Sequence, residues 1–391
     1  MNQEMIVAHC VRKSSQFRAT FIHNQVLSHI SARPRLIYTR HIDKTNDGGY
    51  AGFDLNSIPG FCSSQHRSRT GQLLYRFFKV IGRNESNKIV SYLESQHASL
   101  IHLHYGTDAG LYWRVMKKAG IPSVVSFYGY DYSSFPGRFG GLGKIYLQRR
   151  VFKFASLILA MSGNMKDHLV KLGCPPDKIR VHYYGSETVK FRSEHKQTNG
   201  NKTVLLTAGR LDEKKGHLFL LEALREYISS NPENQIEWII AGDGNMKEEL
   251  SARIAVYKMQ NIVTLTGAYA YGSEELNELF SKADIYIQPS ITARDGDMEG
   301  IPGTLVEAMS AGLPVISTYH AGIPEIIRHE VSGLLVKEWD VIQLAGSIKR
   351  LVDDPVLRDS IARNSKMYAF ENLELRKKEL ELEDIYSELI S

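Results

Sequence analysis

A chain of 391 residues, 43% hydrophobic and 23% charged, has the composition of a soluble globular protein and the length of about two domains of roughly 100–200 residues each. No run reaches the ~18 consecutive apolar residues of a membrane span, and residues 1–7 lack the basic stretch and apolar core of a cleaved signal. Three cysteines without CxxC spacing form no disulfide or zinc framework, which predicts a reducing, cytoplasmic setting.

The net charge of +5 divides unevenly. Residues 1–196 carry 28 Lys and Arg against 12 Asp and Glu, whereas residues 197–391 carry 20 against 31. A basic half implies an anionic partner: nucleic acid, an acidic lipid surface or a phosphorylated substrate.

Short β-rich apolar runs alternate with longer helical patterns, the signature of βαβ units and parallel sheets. Residues 5–11, 36–39, 100–104, 123–128, 157–161 and 180–184 read as strands of a first sheet. The first strand leads into a polar turn and a helix without a glycine-rich fingerprint, so a dinucleotide site is poorly supported there. In the stretch 67–96, Leu73, Leu74, Phe77, Phe78 and Ile81 make one helical stripe, with Arg69, Arg76, Lys79 and Arg83 elsewhere on the surface. A second patch interleaves Arg138, Lys144, Arg149, Arg150 and Lys153 with Phe139, Leu142, Ile145, Tyr146 and Phe152. Taken singly, each reads as an amphipathic core helix with a solvated basic face. Two in one basic half point to contact with an anionic membrane. His102 and His104 share a strand face without a visible third ligand and read as structural. At a strand end, Phe127-Tyr-Gly-Tyr-Asp131 offers a glycine for close approach and a carboxylate just beyond, a candidate site.

The polar stretch 193–202 reads as a linker. A second strand series follows at 203–208, 236–242, 262–266, 284–288, 314–317 and 333–336. Two doubly wound halves result, with ligands expected at the carboxyl ends of the strands, in the cleft between the halves. After the first of these strands, Gly209 allows backbone approach, Arg210 offers a fixed fork and Lys215 a point charge, a set that suits a diphosphate. Gly242 and Gly267 end the next two strands, and a base could sit against backbone beside Gly267. Further on, a loop and a helix opened by Gly300 to Thr304 carry Glu299 and Glu307, with seven residues between them. Both carboxylates can point one way, flanking a helix N-terminus that suits phosphate. Such a constellation serves a sugar nucleotide. Asp295 and Asp297 form a DxD pair that could hold a divalent metal, but two residues before Glu299 a hydrogen-bonding loop is the better reading. No P-loop occurs.

The order of these motifs resembles a known family. Ala208-Gly-Arg-Leu with Lys215-Gly216, Gly242-Asp-Gly244, Ala283-Asp with Pro289-Ser290, Glu299-x7-Glu307-Ala308, Gly312-x-Pro314-Val and Ala321-Gly-x-Pro324-Glu325 are similar to the retaining glycosyltransferases of family 4. The loop 295–302 looks most like the branch that builds bacterial exopolysaccharides such as colanic acid. The resemblance is specific over roughly residues 200–340 and loose before them. It implies an α/β GT-B fold of two Rossmann-like, doubly wound domains with parallel sheets. The expected bounds are an acceptor domain at 1–195, a nucleotide-sugar domain at 202–364, and a helical tail at 365–391 crossing back to the first.

The resemblance also implies roles. Arg210 and Lys215 would grip the donor diphosphate, Glu299 the donor sugar, Glu307 the ribose hydroxyls, and the amides of Gly303, Thr304 and Leu305 a phosphate. Many members carry a histidine before the glycine of the first-half motif, near the reacting sugar. Here that position is Tyr128, which stays neutral near pH 7, so Asp131 gains interest. The expectation is a metal-independent, front-face hexosyltransferase without a cofactor. Its donor would be a UDP- or GDP-sugar and its acceptor a saccharide or a polyprenyl-diphosphate-linked saccharide. It would bind no nucleic acid and lie at the inner face of the plasma membrane. A catalytically silent nucleotide-sugar-binding subunit and a sugar-nucleotide epimerase are the alternative readings.

Overall fold

A computed structural model describes residues 4–42, 57–191, 202–233 and 235–391, with backbone only at Leu74, Phe77 and Phe78. The chain forms two units: Met1–Gly185 with Leu375–Ser391, and Ser186–Glu374.

In the first unit, β1 (Ile6–Lys13), β2 (Arg33–Arg40), β3 (Gly60–Cys62), β4 (Leu100–His104), β5 (Ser123–Ser126), β6 (Leu157–Ala160) and β7 (Ile179–Val181) pair in parallel in the order β3-β2-β1-β4-β5-β6-β7. Every residue of β4, β5 and β6 is buried, as expected where helices cover both faces of a parallel sheet. The edge strand β3 is a finding beyond the sequence reading, because three residues cannot display a period.

In the second unit, β8 (Lys202–Ala208), β9 (Gln235–Ala241), β10 (Val263–Gly267), β11 (Ile285–Ile287), β12 (Val315–Thr318) and β13 (Leu334–Val336) give the parallel order β10-β9-β8-β11-β12-β13. Its core gathers Leu205, Trp238, Ile240, Ile287, Ile316 and Val336 with the helix His217–Ser230. Each sheet reverses its winding once, between β1 and β4 and between β8 and β11. In such sheets ligands bind outside the carboxyl ends of the strands at that point.

The unit boundaries depart from the expected ones. The first break falls at Gly185, and the expected linker 193–202 lies outside the described residues except for Lys202, which opens β8. The return falls at residue 375, not 365. The helix Pro355–Asn372 belongs to the second unit throughout, burying Ile361 and Ala369 there, with the Ser365 hydroxyl on the Leu313 carbonyl at 3.3 Å. Only the helix Leu375–Ile390 joins the first unit, where Leu382, Ile385 and Tyr386 pack on Val7, Leu100, Val124, Leu157 and Leu159. Full burial of such a side chain contributes about 1.5–3 kcal/mol.

The two basic stretches also differ from continuous amphipathic helices. The first breaks at Lys79, in the left-handed region at φ 47°, into helices Arg69–Phe78 and Arg83–Ser95. Ile81 is buried between them and Leu73 is exposed, so the expected stripe is divided. Arg67 pairs with Glu85 at 2.7 Å and lies over the Tyr75 ring. The second is interrupted by three left-handed residues, Phe139, Gly140 and Gly141. There Phe139 is 79% exposed, and Leu142 and Ile145 also face solvent. Among the described residues no helix is long and apolar enough to cross a membrane.

Candidate functional site

The second unit assembles most of the candidate residues at the β8–β11 switch point. Gly209 follows β8 at φ 130°, a conformation side chains disfavour, and its amide donates to the Ala241 carbonyl at the end of β9 (2.9 Å). Gly242 backs onto this turn so closely that an added Cβ would stand 1.9 Å from the Gly209 carbonyl oxygen. The two loops are thereby nested backbone to backbone. A Cβ on Gly209 would meet Thr304 and Lys215 at 3.7–3.9 Å, which puts the β8 loop beside the start of the helix Gly303–Ala311. Gly267, at φ 87°, ends β10 with open space where a Cβ would stand.

Lys215 crosses to Glu299, Nζ to Oε1 at 3.0 Å, with both side chains about nine-tenths buried. Burial would raise the Glu299 carboxyl, but the Lys215 and Lys214 ammonium groups outweigh it and hold the group down to about 2. Lys214 pairs with Asp297 at 3.0 Å and donates to the Met298 carbonyl at 3.3 Å. The Asp295 carboxylate accepts the Asp297 amide at 3.0 Å. Within the DxD pair, Asp295 thus bonds its own loop and Asp297 the loop after β8.

The loop is held from a direction the sequence reading missed. The Glu299 amide donates to His320 Nε2 (3.1 Å), His320 Nδ1 meets Glu338 (2.6 Å), and Glu338 accepts the Thr292 amide (2.8 Å). The available signal was His320 immediately before the Ala321-Gly-x-Pro324 motif. Gln288, at the end of β11, was missed too. Its Oε1 accepts from the Thr304 hydroxyl (2.8 Å) and from the Tyr286 hydroxyl (2.9 Å), tying the helix start to the sheet.

The helix starts at Gly303, with Pro302 as its N-cap and Gly300 buried just ahead in the loop. The Leu305 amide donates to the Pro302 carbonyl at 3.1 Å, so it is already used. Of the three amides expected to face a phosphate, Gly303 and Thr304 keep that capacity, since the first N–H groups of a helix have no partner inside it. Glu307 lies one turn further in and is 4% exposed. Burial pushes its carboxyl up to about 8, against the pull of Lys215. Arg210, by contrast, is 68% exposed and paired with Asp212 at 2.8 Å.

Tyr128 and Asp131 lie in the first unit. Asp131, the candidate carboxylate of the 127–131 strand end, is engaged with backbone. Its carboxylate is buried and accepts the amides of Gly106 (2.8 Å), Tyr128 (3.1 Å) and Gly129 (3.1 Å). Buried and held by three backbone donors, this carboxylate shapes the 127–131 turn. Tyr128 is half-buried among Phe21 and Tyr105, and its hydroxyl bonds His104 Nδ1 at 2.7 Å. His102 and His104 are joined by His9 of β1, and ligand atoms of the three lie within 4.8 Å of one another.

Two family models match the chain, one described as Glycosyl transferases group 1 over residues 189–368, the other as Glycosyltransferase Family 4 over residues 59–189. The amylovoran biosynthesis glycosyltransferase AmsK of Erwinia amylovora is 40% identical over 202 residues, or 52% of this chain and 49% of that protein. WcaL of Escherichia coli, assigned to colanic acid biosynthesis, is 32% identical over 288 residues, or 72% of this chain and 68% of its own length. The matched stretch thus spans about half of the amylovoran relative and two thirds of WcaL. The crystal structure of Anabaena HepE with UDP and glucose shares the fold at a TM-score of 0.75, covering 98% of this chain and 99% of that one at 19% identity.

Proposed function

The chain belongs to glycosyltransferase family 4, in the group that builds exopolysaccharides, and from that premise we propose a retaining transfer of a hexose from a UDP- or GDP-sugar to a saccharide acceptor. The observation that carries this reading is the buried Lys215–Glu299 pair beside the amides of Gly303 and Thr304. A cation and two unused amides beside one carboxylate suit a sugar diphosphate, with anionic phosphate on one side and sugar hydroxyls on the other.

In this reading Lys215 and the helix N-terminus take up charge as the nucleotide diphosphate leaves, and Arg210 adds to them from the rim. Stabilising a leaving group by preorganised charge is usually the largest single catalytic term. Glu299 receives hydroxyls of the transferred sugar and Glu307 those of the ribose. The acceptor hydroxyl attacks the anomeric carbon on the face the diphosphate vacates, and its proton leaves with a phosphate oxygen. No metal enters the scheme. HepE, whose structure holds UDP and glucose, supports a uridine donor by likeness of fold only.

The acceptor reading is a polyprenyl-diphosphate-linked saccharide met at an anionic membrane surface, with no role for nucleic acid. The first unit carries 28 Lys and Arg against 15 Asp and Glu, and the second 20 against 28. Exposed Phe139, Leu142 and Ile145 beside Arg138, Lys144 and Arg149 combine apolar and basic side chains as such a surface requires. The test is a panel of UDP-, GDP- and ADP-sugars read by melting temperature and by nucleotide release with lipid-linked oligosaccharide. Protection by one donor with acceptor-dependent release is expected. Protection without release would make the chain a silent binding subunit.

A further inference from the structure

In the first unit three histidines stand in line behind Tyr128. The Tyr128 hydroxyl lies 2.7 Å from His104 Nδ1, His104 Nε2 lies 2.9 Å from His9 Nδ1, and His9 Nε2 lies 2.8 Å from His29 Nε2. His29 Nδ1 then faces the carboxylates of Glu383 and Glu379 at 3.5 and 3.7 Å, ion-pair contacts without a hydrogen bond to that nitrogen. All three imidazoles are out of contact with water.

The ring geometry shows what kind of contact this is. The His9 and His104 centroids are 5.2 Å apart with planes 13° from parallel, and those of His9 and His29 are 5.1 Å apart at 34°. Nitrogens at N–H···N distance on rings about 5 Å apart must meet edge to edge. A cation would need their lone pairs turned to one common point instead. His102, the other member of the cluster, has both nitrogens engaged, with the Tyr386 hydroxyl (2.5 Å) and the Ser126 hydroxyl (2.7 Å).

A neutral imidazole has one donor and one acceptor nitrogen, so a file of them has a single polarity, set at its end. Glu383 sets it. Its oxygens accept the amides of Ile30 (2.7 Å), Ser31 (3.0 Å) and Ala32 (3.1 Å) and the Ser31 hydroxyl (2.6 Å). Burial works against its charge, but those donors and His29 hold the carboxyl well below the usual range. Glu379 is buried with neither oxygen hydrogen-bonded, and burial together with Glu383 raises its carboxyl well above the usual carboxylate range, which leaves Glu383 as the carboxylate that the surrounding donors stabilise. Facing a carboxylate, His29 carries its proton on Nδ1. Its Nε2 therefore accepts from His9, His9 Nδ1 accepts from His104, and His104 Nδ1 accepts from Tyr128.

We propose that His104, His9 and His29 form a hydrogen-bonded file, ended by the charge of Glu383 beside His29, that holds the Tyr128 proton inward, so that Tyr128 meets its ligand as a hydrogen-bond acceptor. The three histidines are positioning residues. The ligand chemistry that follows is a group with a hydrogen to give, such as a sugar hydroxyl, in preference to a carbonyl or carboxylate. That this ligand is a saccharide rests on the transferase reading, whereas the wiring does not. A further neighbour of the hydroxyl agrees. The Gln25 carboxamide stands 3.4 Å away, and its Nε2 is buried without a partner. Turned end for end, which its heavy-atom shape permits, it donates to the tyrosine oxygen.

The test is a long-range ¹H–¹⁵N correlation on the full chain labelled at histidine, at neutral pH. Neutral rings are expected, with the proton on Nε2 in His104 and His9 and on Nδ1 in His29. The opposite tautomer at His104, or a charged ring in the file, overturns the proposal. In His9→Phe, which keeps a ring of similar size, the His104 nitrogens should average between tautomers while UDP still shifts the melting temperature as in the wild type. A His104 that keeps its tautomer there sinks the proposal. If this variant does not fold, the wild-type spectrum alone decides. One equivalent of a transition metal in the purified protein, with ring signals that move on chelation, would make the cluster a metal site and overturn the proposal as well. Failure of every donor to turn over, with the expected tautomers present, would remove the transferase reading and leave the file standing.

Discussion

The Lys215 ammonium and the Glu299 carboxylate, 84 positions apart in sequence, hold each other at 3.0 Å with about a tenth of either side chain exposed. The sequence reading assigned one to the diphosphate and the other to the sugar. Paired, Lys215 helps hold the buried Glu299 carboxyl in its charged form, and a donor that fits must insert beside partners already balanced.

Removing either partner strands a buried charge, an effect of about 3–5 kcal/mol for a fully buried pair. Lys214, close enough to act on Glu299, softens it. Lys215→Ala should lower nucleotide release about 10²–10³-fold, the loss typical of one donor to developing charge. Arg210→Ala should cost less, since that side chain is mostly exposed and paired with Asp212. Donor turnover with a denaturation curve for each variant checks this; wild-type turnover in Lys215→Ala would remove Lys215 from the mechanism.

Glu307 predicts a pH signature. Its folded carboxyl is raised to about 8, whereas an unfolded Glu titrates near 4.3. Between about pH 4 and 8 the unfolded chain has released this proton and the folded chain still holds it. The group therefore lowers stability progressively as pH rises through that window, with no further loss above it. Urea unfolding at pH 5 and pH 8 should show Glu307→Gln gaining on the wild type at the higher pH. Equal gains at both values would mean that Glu307 is ionised in the folded protein.

The nested glycines make a matched pair. Gly242→Ala would drive a Cβ into the Gly209 carbonyl and should abolish soluble protein or lower the melting temperature sharply. Gly267→Ala meets nothing within 4 Å and suffers only backbone strain at φ 87°, about 1–3 kcal/mol. Comparable melting temperatures for the two variants would contradict the nesting.

Chelation should leave turnover intact. Asp297 pairs with Lys214 and Asp295 accepts the Asp297 amide, so both carboxylates have partners from the chain itself. Activity lost to EDTA and restored by Mn²⁺ would return a metal to the diphosphate.

Vesicles containing acidic phospholipid should sediment with the protein at low salt and release it at high salt. Reversing Arg149, Arg150 and Lys153 together should weaken binding by about 1 kcal/mol for each residue near the surface. Arg150 lies over the Tyr146 ring and should contribute least. Phe139→Ser with Leu142→Ser should weaken binding at both salt concentrations. Binding indifferent to salt and to both sets would leave the basic face merely solvated.

Strands were legible where apolar runs are continuous, as in Leu157–Ala160, and illegible at Gly60–Cys62, which pairs only at its sheet edge. The doubly wound class followed from alternation alone. The site was legible as a set of residue types and not as a set of pairs. Nothing local tells Lys215 that Glu299 will be its neighbour, because the β8–β11 adjacency that joins them is a crossover. Asp131 read as an acid at a strand end, and only the amides folded around it make it structural. His9 and His29 carried no motif and joined His104 through sheet register and a turn. The unit boundary was displaced because Ile361 and Ala369 have the same apolar character as Leu382 and Ile385, and composition does not say which core each helix enters.

The first unit is closed by a segment that follows its own strands by 190 positions, from Gly185 to Leu375. On the ribosome, at roughly 5–20 residues per second, roughly 10–40 s pass between the synthesis of Gly185 and that of Leu375, and Val7, Leu100 and Val124 lack the side chains that cover them throughout. The second unit is one uninterrupted stretch and can be complete within that interval. The order of maturation is therefore the reverse of the order of synthesis, and an apolar stripe on the nascent first unit stands open to chaperones meanwhile. Glu383 arrives with that last helix, so Tyr128 acquires its orientation only when translation of this stretch is finished.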